Sequence, residues 1–127
     1  VRLFDQRVIE ATPEDAILEN PIMIVPALPR WNGSRVALIG NAAHGLSPHI
    51  SAGGTLGIED VGVLCENLER TADLAAALAG YERPRIERFD EVRELSAKVE
   101  NAADAAEFAE QYAGFSHWML TTAPSRD

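Results

Sequence analysis

Apolar positions along this chain change rhythm three times. Ile22, Met23, Ile24 and Val25 form a short, largely β-branched run between Pro21 and Pro26, and predict a strand. After Pro26, Pro29 and an Asn32-Gly33 turn, Val36, Ala37, Leu38 and Ile39 run on without a polar break and stop at Gly40. A strand buried on both faces of a parallel sheet reads this way. From Thr55 the spacing turns helical, with Leu56, Ile58, Val61, Val63, Leu64 and Leu68 on one stripe. Thr71, Ala72 and Asp73 break it; a second helix is expected over 74–79, with Gly80 as a stop or weak point. A third starts near Tyr81, with Pro84 tolerated close to its beginning, and runs to about Leu120.

Within that last stretch Val92, Leu95, Val99, Ala102, Ala106, Ala109 and Ala113 alternate steps of three and four. The pattern predicts one long amphipathic helix packed on its own domain, or, as the alternative, a helical seam between two chains. At the other end, Leu3, Val8 and Ile9 suit a helix end. Thr12-Pro13-Glu14-Asp15 suits either a helix start or a turn. The tail over 121–127 is expected to fray.

Composition narrows the function classes. The 127 residues leave room for a single domain, 1–127, and 46% hydrophobic residues suffice for a core built on aliphatic side chains, since aromatics supply only 6%. A net charge of -9 makes nucleic acid a poor partner and disfavours anionic membrane surfaces. Residues 59–110 hold most of the acids, which reads as a solvated helix face. The lone cysteine, Cys65, excludes an internal disulfide, and a reducing cytoplasm is the expected setting. It sits on the apolar side of a helix and reads as a buried, inert thiol. No leader pattern opens the chain, and the longest apolar run, 22–28, is interrupted by Pro26 and too short to span a bilayer. A first residue of Val rather than Met suggests a processed or truncated product.

The chemistry is concentrated in residues 35–60, RVALIGNAAHGLSPHISAGGTLGIED. Gly40 closes the expected strand and Asn41 stands just past its carboxyl end, where ligands bind in open parallel sheets. The loop 41–54 is long enough to be functional in its own right. It ends in Gly53-Gly54, where the first amides of the following helix lack intrahelical partners and carry the positive end of its dipole. These features describe a cofactor site at a strand-to-helix loop without saying which cofactor, and a purely structural loop stays open as the alternative.

Here the sequence resembles a known family, the FAD-dependent aromatic-ring hydroxylases, or single-component flavoprotein monooxygenases. Their second flavin motif reads approximately G-D-A-A-H-x-x-x-P-x-x-G-x-G, followed by a helix with I-E-D-A. This chain has Gly40-Asn41-Ala42-Ala43-His44, then Pro48, Gly53 and Ile58-Glu59-Asp60. Leu28-Pro29-Arg30-Trp31, Gly33-Ser34-Arg35-Val36 and an L-x-x-Y-E-x-x-R stretch (Leu78, Tyr81, Glu82, Arg85) are similar too. The resemblance spans residues 10–100 or so. It implies that FAD is the cofactor, reduced by NAD(P)H, and that an aromatic or heteroaromatic ring is hydroxylated with O2. It implies cofactor contacts at Gly40, Asn41, Ala42, Pro48, Gly53, Gly54 and Thr55. Asn41 stands where the family has an Asp that accepts a hydrogen bond from the ribityl chain. Pro48 corresponds to a position beside the isoalloxazine ring. Gly53, Gly54 and Thr55 correspond to amides near flavin N1, where reduced flavin carries negative charge.

Two departures matter. Asn41 is neutral, so a charge-assisted bond becomes an ordinary one. The family's opening G-x-G-x-x-G, which holds the FAD pyrophosphate, occurs nowhere in the sequence. The chain therefore resembles the carboxyl-terminal part of a monooxygenase, α/β and Rossmann-like in origin but mostly helical: one or two short strands, a strand–loop–helix flavin motif over 35–60, and about three helices over 55–120. A strand without neighbours invites pairing, so homo-oligomerisation or association with an amino-terminal portion is expected. No catalytic residue can be named.

Rival chemistry is weak. His44, Ser47 and His49 lie close together without a G-x-S-x-G elbow, and the three histidines lack metal spacing, so no metal is expected. Loop histidines with local hydrogen bonds are the plainer reading. Glu59 and Asp60 are expected in a helix's first turn, either complementing its dipole or supporting the cofactor loop. Arg85 and Arg88 are expected to pair with Glu82 or Glu91 on one helix face. Trp31 and Trp118 read as packing residues. The alternative to a monooxygenase portion is a non-catalytic helical association module that keeps the motif as a remnant.

Overall fold

The computed structural model describes residues 2–124. Five helices are assigned among them: α1 (Arg2–Ala11), α2 (Asn41–His44), α3 (Gly53–Arg70), α4 (Leu74–Glu100) and α5 (Ala105–Thr121), with single 3-10 turns at Glu14–Ala16 and Pro48–Ile50. α4 is the central element. It packs against α3 on one side and α5 on the other.

α4 runs unbroken through both Gly80 and Pro84, where the sequence suggested two helices. Pro84 sits on an exposed face. The buried positions Ala77, Leu78, Tyr81, Arg85, Phe89, Val92, Ser96 and Val99 form one stripe at helical spacing across the whole length. Burial of that stripe outweighs the loss of one backbone bond at the proline. Gly80 faces α3: a Cβ there would meet Asn67 Oδ1 at 2.2 Å. The α4 start is fixed by Asp73, whose carboxylate accepts from the amides of Ala75 and Ala76.

The continuous seam expected over 92–113 is replaced by a helical hairpin. α4 ends at Glu100 and α5 restarts at Ala105, where Asp104 caps the amides of Ala106 and Glu107 and Glu107 Oε2 accepts from Ala103 N at 2.8 Å. Ala106, Ala109 and Ala113 are exposed; α5 buries Phe115 and Met119 instead. Large side chains remove more apolar area per residue than alanine does, so they set the face that packs.

Neither expected strand forms among the described residues. Residues 22–25 have no regular secondary structure, and Ile22, Met23 and Ile24 are exposed. Residues 35–39 fold back on 31–33 through one isolated antiparallel bridge, Asn32 with Ala37, helped by Leu38 N donating to Trp31 O at 2.6 Å. A parallel strand needs flanking strands to receive its hydrogen bonds, and the described residues supply none; Val36 and Ile39 accordingly stay exposed. At the amino-terminal end, Thr12 Oγ1 donates to Val8 O at the end of α1, and of the two readings of 12–15 the structure has the turn, a single 3-10 turn at Glu14–Ala16. Of the tail expected to fray over 121–127, Thr121 still belongs to α5, 122–124 follow it outside any helix, and 125–127 lie outside the described residues.

Candidate functional site

The segment 40–55 folds into short, well-anchored pieces. Gly40 takes φ 56° and ψ -141°, a conformation that side chains rarely adopt, and turns the chain into the single helical turn of α2. α3 begins at Gly53, two residues before its expected start at Thr55. Gly53 and Gly54 therefore form the first helical turn rather than preceding it. No side chain caps this end of α3. The side chain of Asn41 lies beside Gly53, its Oδ1 3.5 Å from where a Cβ of that residue would be. Asn41, Ala42, Pro48, Gly54 and Thr55 are exposed, and Gly40 and Gly53 are half-buried. A Cβ at Gly40 or Gly54 would meet no atom within 4 Å, so the backbone there is open to a ligand. Beside this face, Ser51, Thr55, Tyr112, Phe115 and Met119 line a cleft of about 360 Å³.

Behind the exposed face lies a buried polar network. Asp60, fully buried on α3, accepts three hydrogen bonds: from Gly40 N at 2.8 Å, His44 Nε2 at 2.6 Å and Arg85 Nε at 2.7 Å. Arg85 also donates to Glu59 Oε2 at 2.7 Å and to Leu56 O at 3.1 Å. Arg88 grips both Glu59 oxygens, at 2.5 and 2.7 Å, lies over the Trp118 ring at 4.7 Å, and reaches Thr122 in the turn after α5. Two carboxylates thus face two guanidiniums, and the cluster ties α2, α3, α4 and α5 together. Burial pushes the Asp60 pKa up, but the hydrogen bonds from His44, Gly40 and Arg85 outweigh it and hold the carboxyl below its ordinary value. His44 is itself fully buried between Trp31 and Phe89, with both ring centroids 5.3 Å away, and its Nδ1 is left without a partner among the described residues.

The L-x-x-Y-E-x-x-R stretch gains a physical meaning. Tyr81 Oη donates to Leu38 O at 2.7 Å, and Glu82 Oε2 accepts from the amides of Trp31 and Asn32 at 2.5 and 2.8 Å. Leu78 O accepts from the Asn32 side chain. Burial and the Asp60 charge push the Tyr81 phenol upward, so it stays a donor at all ordinary pH. One face of α4 holds the 31–38 arm through Tyr81 and Glu82, and one turn later holds Asp60 through Arg85.

Several sequence-based expectations are corrected here. Arg85 and Arg88 cross to α3 instead of pairing with Glu82 or Glu91 along α4. Glu59 and Asp60 lie in the second turn of α3, too far in to complement the dipole, and of their two readings the structure favours support of the loop. His44 is a fully buried core residue whose bond runs to Asp60, sixteen positions away, rather than to a local partner; His49 does make the local bond expected of it, to Ser47. Trp31 packs as foreseen, and Trp118 is half-buried beneath Arg88. Cys65 is half-buried. Among the described residues no cluster of potential metal ligands occurs and no helix is long and apolar enough to cross a membrane.

Comparison with characterised proteins agrees with the motif. The chain is 39% identical over 93 residues to 6-hydroxynicotinate 3-monooxygenase of Bordetella bronchiseptica, a match covering 72% of this chain and 24% of that protein. It is 38% identical over 85 residues to the aurachin C monooxygenase/isomerase of Stigmatella aurantiaca, covering 67% and 22%. It is 43% identical over 70 residues to an FAD-dependent urate hydroxylase of Klebsiella pneumoniae, covering 55% and 17%. No family model matches, and no solved structure matches. The chain belongs to the FAD-dependent monooxygenase family over the matched residues, and spans about a quarter of the length of the first two relatives.

Proposed function

We propose that this chain is the flavin-side, carboxyl-terminal portion of an FAD-dependent monooxygenase that hydroxylates an aromatic or heteroaromatic ring with NAD(P)H and O2. The carrying observation is that Asn41 lies beside Gly53 at the uncapped start of α3, that Gly40, Asn41, Ala42, Pro48, Gly53, Gly54 and Thr55 are all exposed or half-buried, and that Gly40 is anchored from behind by the buried Asp60. The residues fit the cofactor. Backbone at Gly40 and Gly54 is unobstructed, the first amides of α3 have no side-chain cap, and Asn41 offers a carbonyl acceptor beside them. FAD supplies the redox chemistry when bound. For its part, the chain would accept a ribityl hydroxyl at Asn41 Oδ1 and present the α3 amides to negative charge at the pyrimidine end. The cleft formed by Tyr112, Phe115 and Met119 would shield the adjoining ring from water. In a longer chain, residues 35–39 would become a strand of a Rossmann-like sheet. Activity then depends on partner segments that hold the FAD pyrophosphate and the small aromatic substrate, in a reducing cytoplasm.

Neutral Asn41 favours a second reading, a helical association module retaining the motif as a remnant. Titration with FAD, followed by visible absorption and flavin fluorescence, separates the two. The flavin reading expects saturable binding, and expects Asn41→Asp to tighten it by about 1 kcal/mol, the gain from charging one hydrogen-bond partner. Absence of binding at high micromolar FAD, for both proteins, would leave the association module.

A further inference from the structure

We infer that Asp60 is the positioning residue of the 40–44 turn, holding Gly40 and Asn41 in the geometry that faces the cofactor. The inference rests on the flavin reading for its consequence, but its core concerns only this chain's own residues. Asp60 stands on α3, twenty positions from Gly40, yet one of its oxygens, Oδ2, binds both ends of the α2 turn: the Gly40 amide at 2.8 Å and His44 Nε2 at 2.6 Å. Its other oxygen is held by Arg85 Nε at 2.7 Å. Three donors thus converge on two oxygens in a fully buried place. Only an acceptor-only group satisfies them all, and an ionised carboxylate is the side chain that has no donor of its own. An amide of the same shape would turn an N–H toward one of those donors.

The need for such a clamp follows from the turn. A four-residue helix cannot sustain itself, because helix nucleation fixes several torsions for a single hydrogen bond. Gly40 adds a backbone conformation with positive φ. Ala43 and His44 are buried, whereas Asn41 and Ala42 on the same turn face out. Fixing Gly40 and His44 from behind therefore fixes the direction in which Asn41 points. Asp60 would not touch the cofactor; it acts through Gly40.

The test uses the isotopically labelled chain, read by amide NMR and hydrogen exchange. In the unaltered protein, a scalar coupling across the hydrogen bond from Gly40 N to the Asp60 carboxylate is expected, together with slowed exchange at Gly40. In Asp60→Asn, the Gly40 amide should move upfield and exchange about tenfold faster, the equivalent of one lost hydrogen bond, while mid-helix amides of α3 and α4 keep their protection. Glu82→Gln, which loosens the 31–32 arm, should leave Gly40 protected. A missing coupling with fast Gly40 exchange in the unaltered chain overturns the inference, even where Asp60→Asn fails to fold. Equal release of Gly40 by Glu82→Gln overturns it as well, since that would be general loosening. In FAD titrations Asp60→Asn should weaken binding about tenfold; unchanged affinity with a released Gly40 overturns the positioning role. Failure of the unaltered chain to bind FAD would instead count against the flavin reading, while the Gly40 measurements still decide whether Asp60 holds the turn.

Discussion

Arg85 reaches from α4 with three nitrogens engaged, on Asp60, Glu59 and the carbonyl of Leu56, and almost none of it meets solvent. Taking one partner out of such a cluster is more damaging than never having built it, because the remaining charge stays buried. Arg85→Met should therefore cost about 3–5 kcal/mol at neutral pH. The same variant should change the acid limb of stability. Asp60 has a folded-state pKa below its unfolded one. Its ionised form contributes stability above the unfolded value, and that contribution is lost as pH falls through the folded value. Without the Arg85 bond the folded pKa rises, so Arg85→Met should have a smaller pH-dependent loss between about pH 5 and pH 3 than the parent. Urea melts across that range measure both effects; a neutral-pH cost under about 1 kcal/mol would mean that the cluster relaxes into water. The motif letters at Glu59, Asp60 and Arg85 were visible in the sequence. Their pairing was not, because residues 25 and 26 positions apart on two helices are joined only by the α3–α4 crossing.

At the scale of elements, local signals were legible where local chemistry decides. Asp73 caps α4 as its place before a helical run implies, and the break at 71–73 and the helix after it are as the sequence indicates. Of the apolar stripe expected on α3, however, only Leu56 is buried and Val63 and Leu64 half-buried, while Ile58, Val61 and Leu68 are exposed. Asp104 and Glu107 formed an equally local start signal, overlooked because the three-four spacing of alanines ran across it. Gly80 misled for a different reason. Its small size serves the approach of α3, not a helix end, and only the neighbour, Asn67, reveals this. Asn67 is held in turn by donating to Val63 O at 2.8 Å. Gly80→Ala should thus destabilise the protein while Asn67 is present, despite alanine's better helix propensity. In an Asn67→Ala background the clash is gone and the same change should stabilise by about 0.8–1 kcal/mol. A double-mutant cycle by thermal or urea unfolding tests this; additive effects would show that the two helices shift apart at no cost.

Across the whole molecule, what escaped the sequence was the absence of partners. Val36 and Ile39 have the composition of a sheet interior, but among the described residues only the 31–33 arm bonds to this stretch, so the hydrophobic pattern that suggests a buried strand ends on the surface. Ile17, Leu18, Ile22, Met23 and Ile24 are exposed as well. The two routes to association suggested by the sequence, a strand edge and an alanine seam, are both altered by the fold: the strand is absent among the described residues and the seam is a hairpin. We propose the exposed apolar side chains at 17–24 as the contact instead, because burying such side chains returns about 25 cal/mol for each Å² removed from water. At tens of micromolar the chain should sediment as a dimer or larger species, in spite of its net charge of -9. Replacing Met23 and Ile24 with lysine should shift it toward monomer without lowering helix content, since neither side chain is part of the core. Sedimentation velocity with circular dichroism on both proteins measures this. A monomeric parent would show that these side chains remain in water at that concentration, and a variant that still associates would move the contact away from residues 23 and 24.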